Sequence, residues 1–199
     1  MDLTSAETWD ERYRESDRIW SGRPNPQLVA EAADLPPGRA LDVGCGEGAD
    51  AIWLAERGWT VVGTDISQVA LDRAERHSPP ALADRITWRQ TDLVTEPPEP
   101  EGFDLVAAHF MHLPPGPRAA MFRGLVAAVR SGGLLLMVGH DVREVHTGPG
   151  RHQGPDVYFT ADELTDLLAT DWHVEVSEMR RRPAGDAHGH DLVFRARRG

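Results

Sequence analysis

Chemistry in this chain concentrates at three places, the first being Ala40-Leu-Asp-Val-Gly44-Cys-Gly46-Glu-Gly48. Glycines there let the backbone turn tightly and approach a ligand, and the helix expected to follow offers unpaired N–H donors. The second is Asp65, which ends the next apolar run 21 residues after Gly44. A carboxylate at that place can accept two hydrogen bonds from the vicinal hydroxyls of a ribose. The third is a set of histidines. Ala108-His109-Phe110-Met111-His112 and Gly139-His140-Asp141 each follow a strand-like segment. His109, His112 and His140 are therefore candidate general bases, since an imidazole takes a proton near neutral pH. Their structural alternative is to cap backbone groups at the strand ends.

The loop also discriminates between nucleosides. A dinucleotide site is built on Gly-x-Gly-x-x-Gly to admit a pyrophosphate, whereas here the third glycine comes one residue early and Glu47 lies beside the helix start. With Asp42 just before the loop, that carboxylate favours a cationic or zwitterionic ligand such as a sulfonium amino acid. Cys45, the single cysteine, excludes an intramolecular disulfide and a multi-cysteine metal cage and is expected to fill the loop–sheet contact. His188-Gly-His190 and His109/His112 lack a carboxylate at a ligand spacing, so no metal is expected.

Alternating strand and helix patterns must position these residues. Strands are expected at Arg39–Val43, Thr60–Thr64, Arg85–Gln90, Phe103–His109 and Leu134–Val138, with helices over Glu47–Arg57, Ser67–Arg76 and Arg118–Arg130. Thr160-Ala-Asp-Glu163 reads as a capping box opening a helix through Leu168. Trp172–Met179 and Asp191–Ala196 read as a closing antiparallel hairpin. The fold class is thus α/β, a doubly wound and mostly parallel sheet. Residues 1–38 differ in kind. Trp9, Tyr13 and Trp20 stand in a charged stretch ending at Pro24-Asn25-Pro26, either as a lid over the site or as a helix packed on the sheet.

Loop, second-strand carboxylate and strand ends together resemble the class I S-adenosylmethionine-dependent methyltransferases. The resemblance rests on Leu41–Gly48, Val62-Gly-Thr-Asp-Ile-Ser67, Thr91-Asp-Leu93, Phe103-Asp-Leu-Val106 and Ser131-Gly-Gly133, and it spans Arg39 to Arg198. It implies a seven-stranded sheet with an antiparallel last strand and S-adenosylmethionine as cofactor. Asp42, Gly44, Cys45, Gly46 and Gly48 would surround the methionine moiety, Asp65 the ribose, and Ile66, Asp92 and Leu93 the adenine, with His109 also in the cofactor set. The amino-terminal aromatics look like the tellurite-resistance and thiopurine S-methyltransferase-like branch, which implies a lid over residues 39–199 formed by residues 1–38. Tyr13, Trp20, Phe110, His112, His140, Asp141 and Tyr158 are then the acceptor-side candidates, and the glycine-rich segment 142–157 a second cover.

A formal charge of −11 repels phosphate backbones and anionic lipid. His112-Leu-Pro-Pro-Gly116 replaces the Asp/Asn-Pro-Pro-aromatic pattern of enzymes that methylate amino groups of nucleic acids or protein glutamine, so a small-molecule acceptor is expected. The six arginines from Arg180 onward read as a solvated strand face. Met1–Asp10 has no basic flank or apolar core of a leader, and no run is long enough to span a bilayer, so a cytoplasmic place is expected. The expected reaction is methyl transfer to a small acceptor, a thiol or other soft nucleophile, with O- or N-methylation of a small metabolite by a histidine base as the alternative. Its rivals are a nicotinamide-dependent oxidoreductase and a non-catalytic nucleoside-binding protein.

Overall fold

The computed structural model describes residues 2–141, 155–182 and 189–199. Seven strands form one sheet in the order β3-β2-β1-β4-β5-β7-β6: β1 Arg39–Val43, β2 Thr60–Asp65, β3 Ile86–Gln90, β4 Phe103–His109, β5 Val129–His140, β6 Trp172–Arg181 and β7 His190–Arg198. The first five run parallel, and β7 inserts antiparallel between β5 and β6. The helices are α1 Ala6–Arg14, α2 Pro26–Ala32, α3 Ala49–Glu56, α4 Gln68–His77, α5 Pro115–Ala128 and α6 Ala161–Thr165.

Period-two alternation divides the strand residues between two cores. Val106, Ala108, Leu135 and Met137 join Phe122, Leu125 and Phe159 on one face, while Leu105, Ala107, Leu134 and Leu136 join Leu28, Trp53, Leu54 and Trp59 on the other. Both faces being covered is what makes these strands near-continuous apolar runs.

Several boundaries differ from the sequence reading: α3 starts at Ala49, α6 ends at Thr165 and not Leu168, and the hairpin strands run on to Arg181 and from His190 to Arg198. α5 starts at Pro115, inside the proline cluster, because a proline at the first helical position loses no hydrogen bond. β5 starts at Val129, before the Gly132-Gly133 pair, which lies where the β4 register shifts and Gly132 adopts φ +77°. The sequence-expected caps are present at Ser67, whose hydroxyl accepts from Ala70 N, and at Thr160, whose hydroxyl accepts from Glu163 N. Of the basic carboxyl-terminal region, Arg180 and Arg195 pair with Glu31, Arg197 with Glu175 and Arg198 with Asp171. His188 and most of the 142–157 segment fall outside the described residues.

β1 and β4 are neighbours whose connections leave in opposite directions along the sheet, so a crevice opens beyond their carboxyl ends. Asp42, the glycine loop, Asp65, His109 and His140 all lie at that edge.

Candidate active site

Gly44, Gly46 and Gly48 all have positive φ, at +63°, +53° and +87°. A Cβ on Gly46 would lie 3.0 Å from the Tyr13 hydroxyl and 3.2 Å from Trp20 Nε1, so the loop and the amino-terminal segment touch through a gap only glycine leaves. Gly48 is different. Its Cβ would lie 2.8 Å from the Trp88 ring and 2.9 Å from Ala74 Cβ, which makes it a packing glycine between loop, β3 and α4. Cys45 is buried against β2, its N–H donating to Thr64 O at 2.9 Å, and burial pushes its thiol well above the ordinary range.

Asp65 is buried, and its carboxylate already holds the loop: Oδ2 accepts from Gly46 N and Oδ1 from Ser67 N, both at 2.9 Å. A carboxylate has about four lone-pair sites, so acceptor capacity for hydroxyls remains. Burial pushes this group up to about 6. Ile66 follows directly, its carbonyl accepting from Gln90 Nε2. Asp92 caps its own turn through Val94 N and the Thr95 hydroxyl, and Leu93 is buried in the core.

The Glu47 carboxylate does not face a ligand. Its side chain is 3% exposed and pairs with Arg73 Nη1 at 3.0 Å, while its oxygens accept from Ile19 N and Trp20 N at 3.4 and 3.1 Å. Arg73 also donates to the carbonyls of Tyr13 and Ser16. The negative charge read from sequence as a sulfonium partner is therefore neutralised by an arginine 26 residues away. It fastens the amino-terminal segment instead. α1 is fixed as well, since Asp10 Oδ1 accepts from the Ser67 hydroxyl and Val69 N. Trp20 Nε1 donates to the Tyr13 hydroxyl at 2.9 Å, which roofs Gly46 and leaves Trp20 46% exposed. Both residues thus stand over Gly46 of the glycine loop.

Asp50, in the first turn of α3, links two distant segments. Its Oδ2 lies 2.7 Å from His109 Nδ1 and its Oδ1 accepts from Asn25 N at 2.6 Å. One ligand-capable atom from each of Asp42, Asp50 and His109 lies within 4.8 Å of the others. Burial, then Asp50, pushes Asp42 up to about 8, and Asp50 and Asp42 together hold His109 above its usual value against desolvation. The signs agree. A carboxyl raised in the folded state takes up a proton on folding, so its stabilisation is lost as pH rises toward about 8, and a raised imidazole loses its contribution in the same direction. The ligand-free protein is therefore expected to melt at a higher temperature at pH 6 than at pH 8. Asp42→Asn should flatten that slope in differential scanning calorimetry, and an unchanged slope would remove Asp42 as its source.

On the acceptor side the rings of Phe110, His112, His140 and Tyr158 gather beyond β4 and β5. Centroids lie 4.4 Å apart for Phe110–His140, 4.9 Å for His112–His140 and 4.8 Å for His112–Tyr158. Phe110 takes φ +56°, rare for a bulky residue, with its N–H tied to Val138 O. Arg182, held by buried Asp191, donates to His140 Nδ1 and lies over the Phe110 ring. Asp141 is buried, its N–H donating to His190 O. Arg118 joins the two segments carrying His112 and Tyr158 by donating to Leu113 O and Asp156 O while pairing with Glu163. Arg73, Arg118, Arg182 and Asp50 were not singled out by sequence; a buried charge has no mark in a local window.

A seven-stranded α/β sheet with a glycine loop at the first strand and an acid ending the second defines a Rossmann-like methyltransferase fold. A family model described as a methyltransferase domain matches residues 40–133. A protein of Arabidopsis thaliana described as "Probable thiol methyltransferase 2" is 30% identical over 155 residues, 75% of this chain and 68% of the relative, so the chain spans about two thirds of its length. One solved structure, described as the conversion of a disulfide bond into a thioacetal group during echinomycin biosynthesis, superposes with a TM-score of 0.76 at 26% identity, covering 97% of this chain and 91% of the other. Another is a Burkholderia thailandensis 1,6-didemethyltoxoflavin-N1-methyltransferase with bound S-adenosylhomocysteine, with a TM-score of 0.70, 22% identity and coverage of 98% and 87%. The chain belongs to the class I S-adenosylmethionine-dependent methyltransferases. Its cofactor is S-adenosylmethionine, and the thiol methyltransferase relative agrees with the branch suggested by the amino-terminal aromatics.

The residues present fit that cofactor. Beside the glycine loop, buried Asp42 Oδ2 and His109 Nε2 have no protein partner. Among the described residues, no helix is long and apolar enough to cross a membrane.

Proposed function

We propose that this enzyme methylates the sulfur of a small thiol or thione in the cytoplasm. In this reading residues 1–38 cover a catalytic domain formed by residues 39–199, and neither nucleic acid nor membrane takes part. The observation that carries the proposal is the acceptor-side wall, in which the rings of Phe110, His112, His140 and Tyr158 gather as a soft, polarisable surface with His140 Nδ1 turned to Arg182. An arginine N–H can only donate, so His140 Nδ1 accepts from it and is not available to take a proton. A thiolate attacks without a base, whereas oxygen or nitrogen acceptors more often need one. The sulfur chemistry in the descriptions of the Arabidopsis relative and the echinomycin enzyme supports the same acceptor atom.

S-adenosylmethionine, when bound, supplies a methyl group on a positively charged sulfur. The chain's work is positioning and exclusion of water. Tyr13 and Trp20 roof the loop, Asp65 holds Gly46 in place for the ribose, and the Phe110–His112–His140–Tyr158 wall orients a soft nucleophile in line. The acceptor sulfur would supply the electron pair of the new C–S bond while the methyl's bond to the sulfonium breaks and that pair returns to the cofactor's sulfur as a neutral thioether; the acceptor's own proton is lost to solvent on ionisation.

A panel of small thiols and heteroaromatic thiones, assayed for S-adenosylhomocysteine release and for the methylated product, is expected to give at least one S-methyl thioether. With cofactor saturating, single changes of His109, His112 or His140 to Ala should slow that reaction by less than about tenfold, or about 1.4 kcal/mol. The pH profile should follow the acceptor's ionisation. A loss of orders of magnitude with a profile that titrates like imidazole would move the assignment to base-assisted O- or N-methylation.

A further inference from the structure

Arg118 occupies an apolar position. It lies on the buried face of α5 with Met121, Phe122 and Leu125 at helical spacing, and its side chain is only 6% exposed. A buried ion pair adds no more stability than well-packed apolar side chains of similar volume, so what the guanidinium contributes is where its N–H groups reach. Nε and Nη2 take both oxygens of Glu163, at 2.8 and 3.1 Å. Nη1 donates at 2.7 Å to two carbonyls, Leu113 O in the loop after β4 and Asp156 O in the segment before α6. One nitrogen holding both oxygens fixes the separation of the two segments. His112 stands directly before Leu113 and Tyr158 shortly after Asp156, and their ring centroids lie 4.8 Å apart. Each segment also has a core anchor of its own. Leu113 is buried, and Phe159 packs edge-on against Phe122 at 5.3 Å, so close to β5 that a Cβ on Gly139 would lie 2.7 Å from its ring. The Glu163 side chain is 31% exposed, so water replaces its partner when the arginine is removed. Loss of Arg118 therefore frees the spacing of the two rings and leaves the fold assembled.

We propose that Arg118 is a positioning residue that sets the class of methyl acceptor: by fixing His112 against Tyr158 it holds a wall of set width, which favours an acceptor carrying a planar ring over a bare sulfur nucleophile. This rests on the reading of the four-ring wall as the acceptor surface and of sulfur as the acceptor atom. A ring meets more than one side chain of the wall and gains from their fixed spacing. Hydrosulfide meets the site only through its reacting atom and gains nothing from that spacing. The effect is large because a displacement of about 1 Å in a reacting group costs on the order of a hundredfold in rate. The glycine loop is held by separate contacts, Asp65 with Gly46 N and Arg73 with Glu47, so cofactor binding does not depend on the clamp.

The test compares benzenethiol with hydrosulfide on the full-length protein with S-adenosylmethionine saturating, so that the ratio of their kcat/KM values cancels any loss of folded enzyme. Wild type should favour benzenethiol. Arg118→Met, which keeps the apolar length and removes every donor, should cut that ratio by about tenfold, mainly through the KM for benzenethiol, and leave S-adenosylhomocysteine affinity within about twofold. Arg118→Lys keeps a donor for the carbonyls and should restore most of the ratio. Hydrogen exchange on the free proteins reads the clamp without turnover: the Leu113 amide and those of 156–160 should exchange faster in Arg118→Met while β1 and β2 keep their protection. An unchanged ratio, whether or not both rates fall, or native exchange at both segments overturns the inference. A wild-type protein that methylates neither thiol overturns the sulfur reading and this acceptor class with it, and exchange alone then decides the clamp.

Discussion

Replacing Arg73 by alanine is expected to free the amino-terminal segment and to cost the folded state about 3–5 kcal/mol, the range for breaking a buried ion pair from one side. Three observations set that size. The Arg73 guanidinium is buried, it pairs with a Glu47 side chain only 3% exposed, and its other nitrogen satisfies the carbonyls of Tyr13 and Ser16. Alanine leaves the Glu47 charge with two backbone N–H groups from Ile19 and Trp20 as its remaining partners. Two outcomes are distinguishable. If the segment is a separate cooperative unit, it opens alone: proteolysis near residues 15–24 accelerates, cofactor affinity falls, and the melting temperature of the remaining domain moves little. If it is integral to the core, the whole chain melts lower, by about 6–20 °C at this size. The double change with Glu47→Gln should recover part of the loss, since the uncompensated charge is gone. A variant with native proteolysis and native melting would remove the pair as the fastener.

The same contacts bear on the choice, open in the sequence, between a lid and a helix packed on the sheet. Tyr13 is buried, pushed upward in pKa by that burial, and bonded to Trp20 directly over Gly46, while Trp20 is half exposed. A surface that buries one aromatic and leaves its partner open to solvent suits a cover whose outer edge faces solvent. Deleting residues 1–24 would also remove the Tyr13 and Ser16 carbonyls that accept from Arg73 Nη2 and the N–H groups of Ile19 and Trp20 that donate to Glu47, leaving the Arg73–Glu47 pair short of hydrogen bonds; the Arg73 variant is the cleaner comparison.

What the sequence made legible is what short-range rules govern. Glycine spacing located the loop, the end of an apolar run located Asp65, and period-two patterns gave β4 its limits of Phe103 and His109. Residues whose meaning depends on a distant partner were misread or passed over. Glu47 looked like a ligand group because it sits at a helix start, and Arg73, one turn into α4, reverses that reading. Asp50 was passed over, because its partners are 25 and 59 residues away. Arg118 sits among the apolar positions of α5 and was invisible as a clamp between two loops. β5 began earlier than its apolar run because its first residues pair across a glycine bulge, where hydropathy carries no signal.

Asp65 carries the other large effect, and its substitution is expected to act twice. Asp65→Ala removes the acceptors of Gly46 N and Ser67 N, each a buried donor whose isolation costs about 1–3 kcal/mol, and it removes the acceptor offered to a ribose. The free protein should therefore melt several degrees lower. S-adenosylhomocysteine should bind more weakly by about 2–3 kcal/mol, because the loop that must present its backbone is no longer held and the hydroxyls lose a charged partner. Asp65→Asn separates these roles. Its one oxygen can still accept from Gly46 N or Ser67 N, while its amide cannot accept from the second hydroxyl. Since Asp65 is raised to about 6, part of its cost above that pH is the burial of its charge, and the neutral amide avoids it. The asparagine variant should then keep more of the melting temperature than the alanine variant and still lose most of the affinity. A matched comparison with a 2′-deoxyribose form of the ligand completes the argument: if Asp65 reads the ribose, the deoxy ligand loses affinity against wild type and loses little more against Asp65→Asn. Equal losses on both proteins would confine Asp65 to holding the loop.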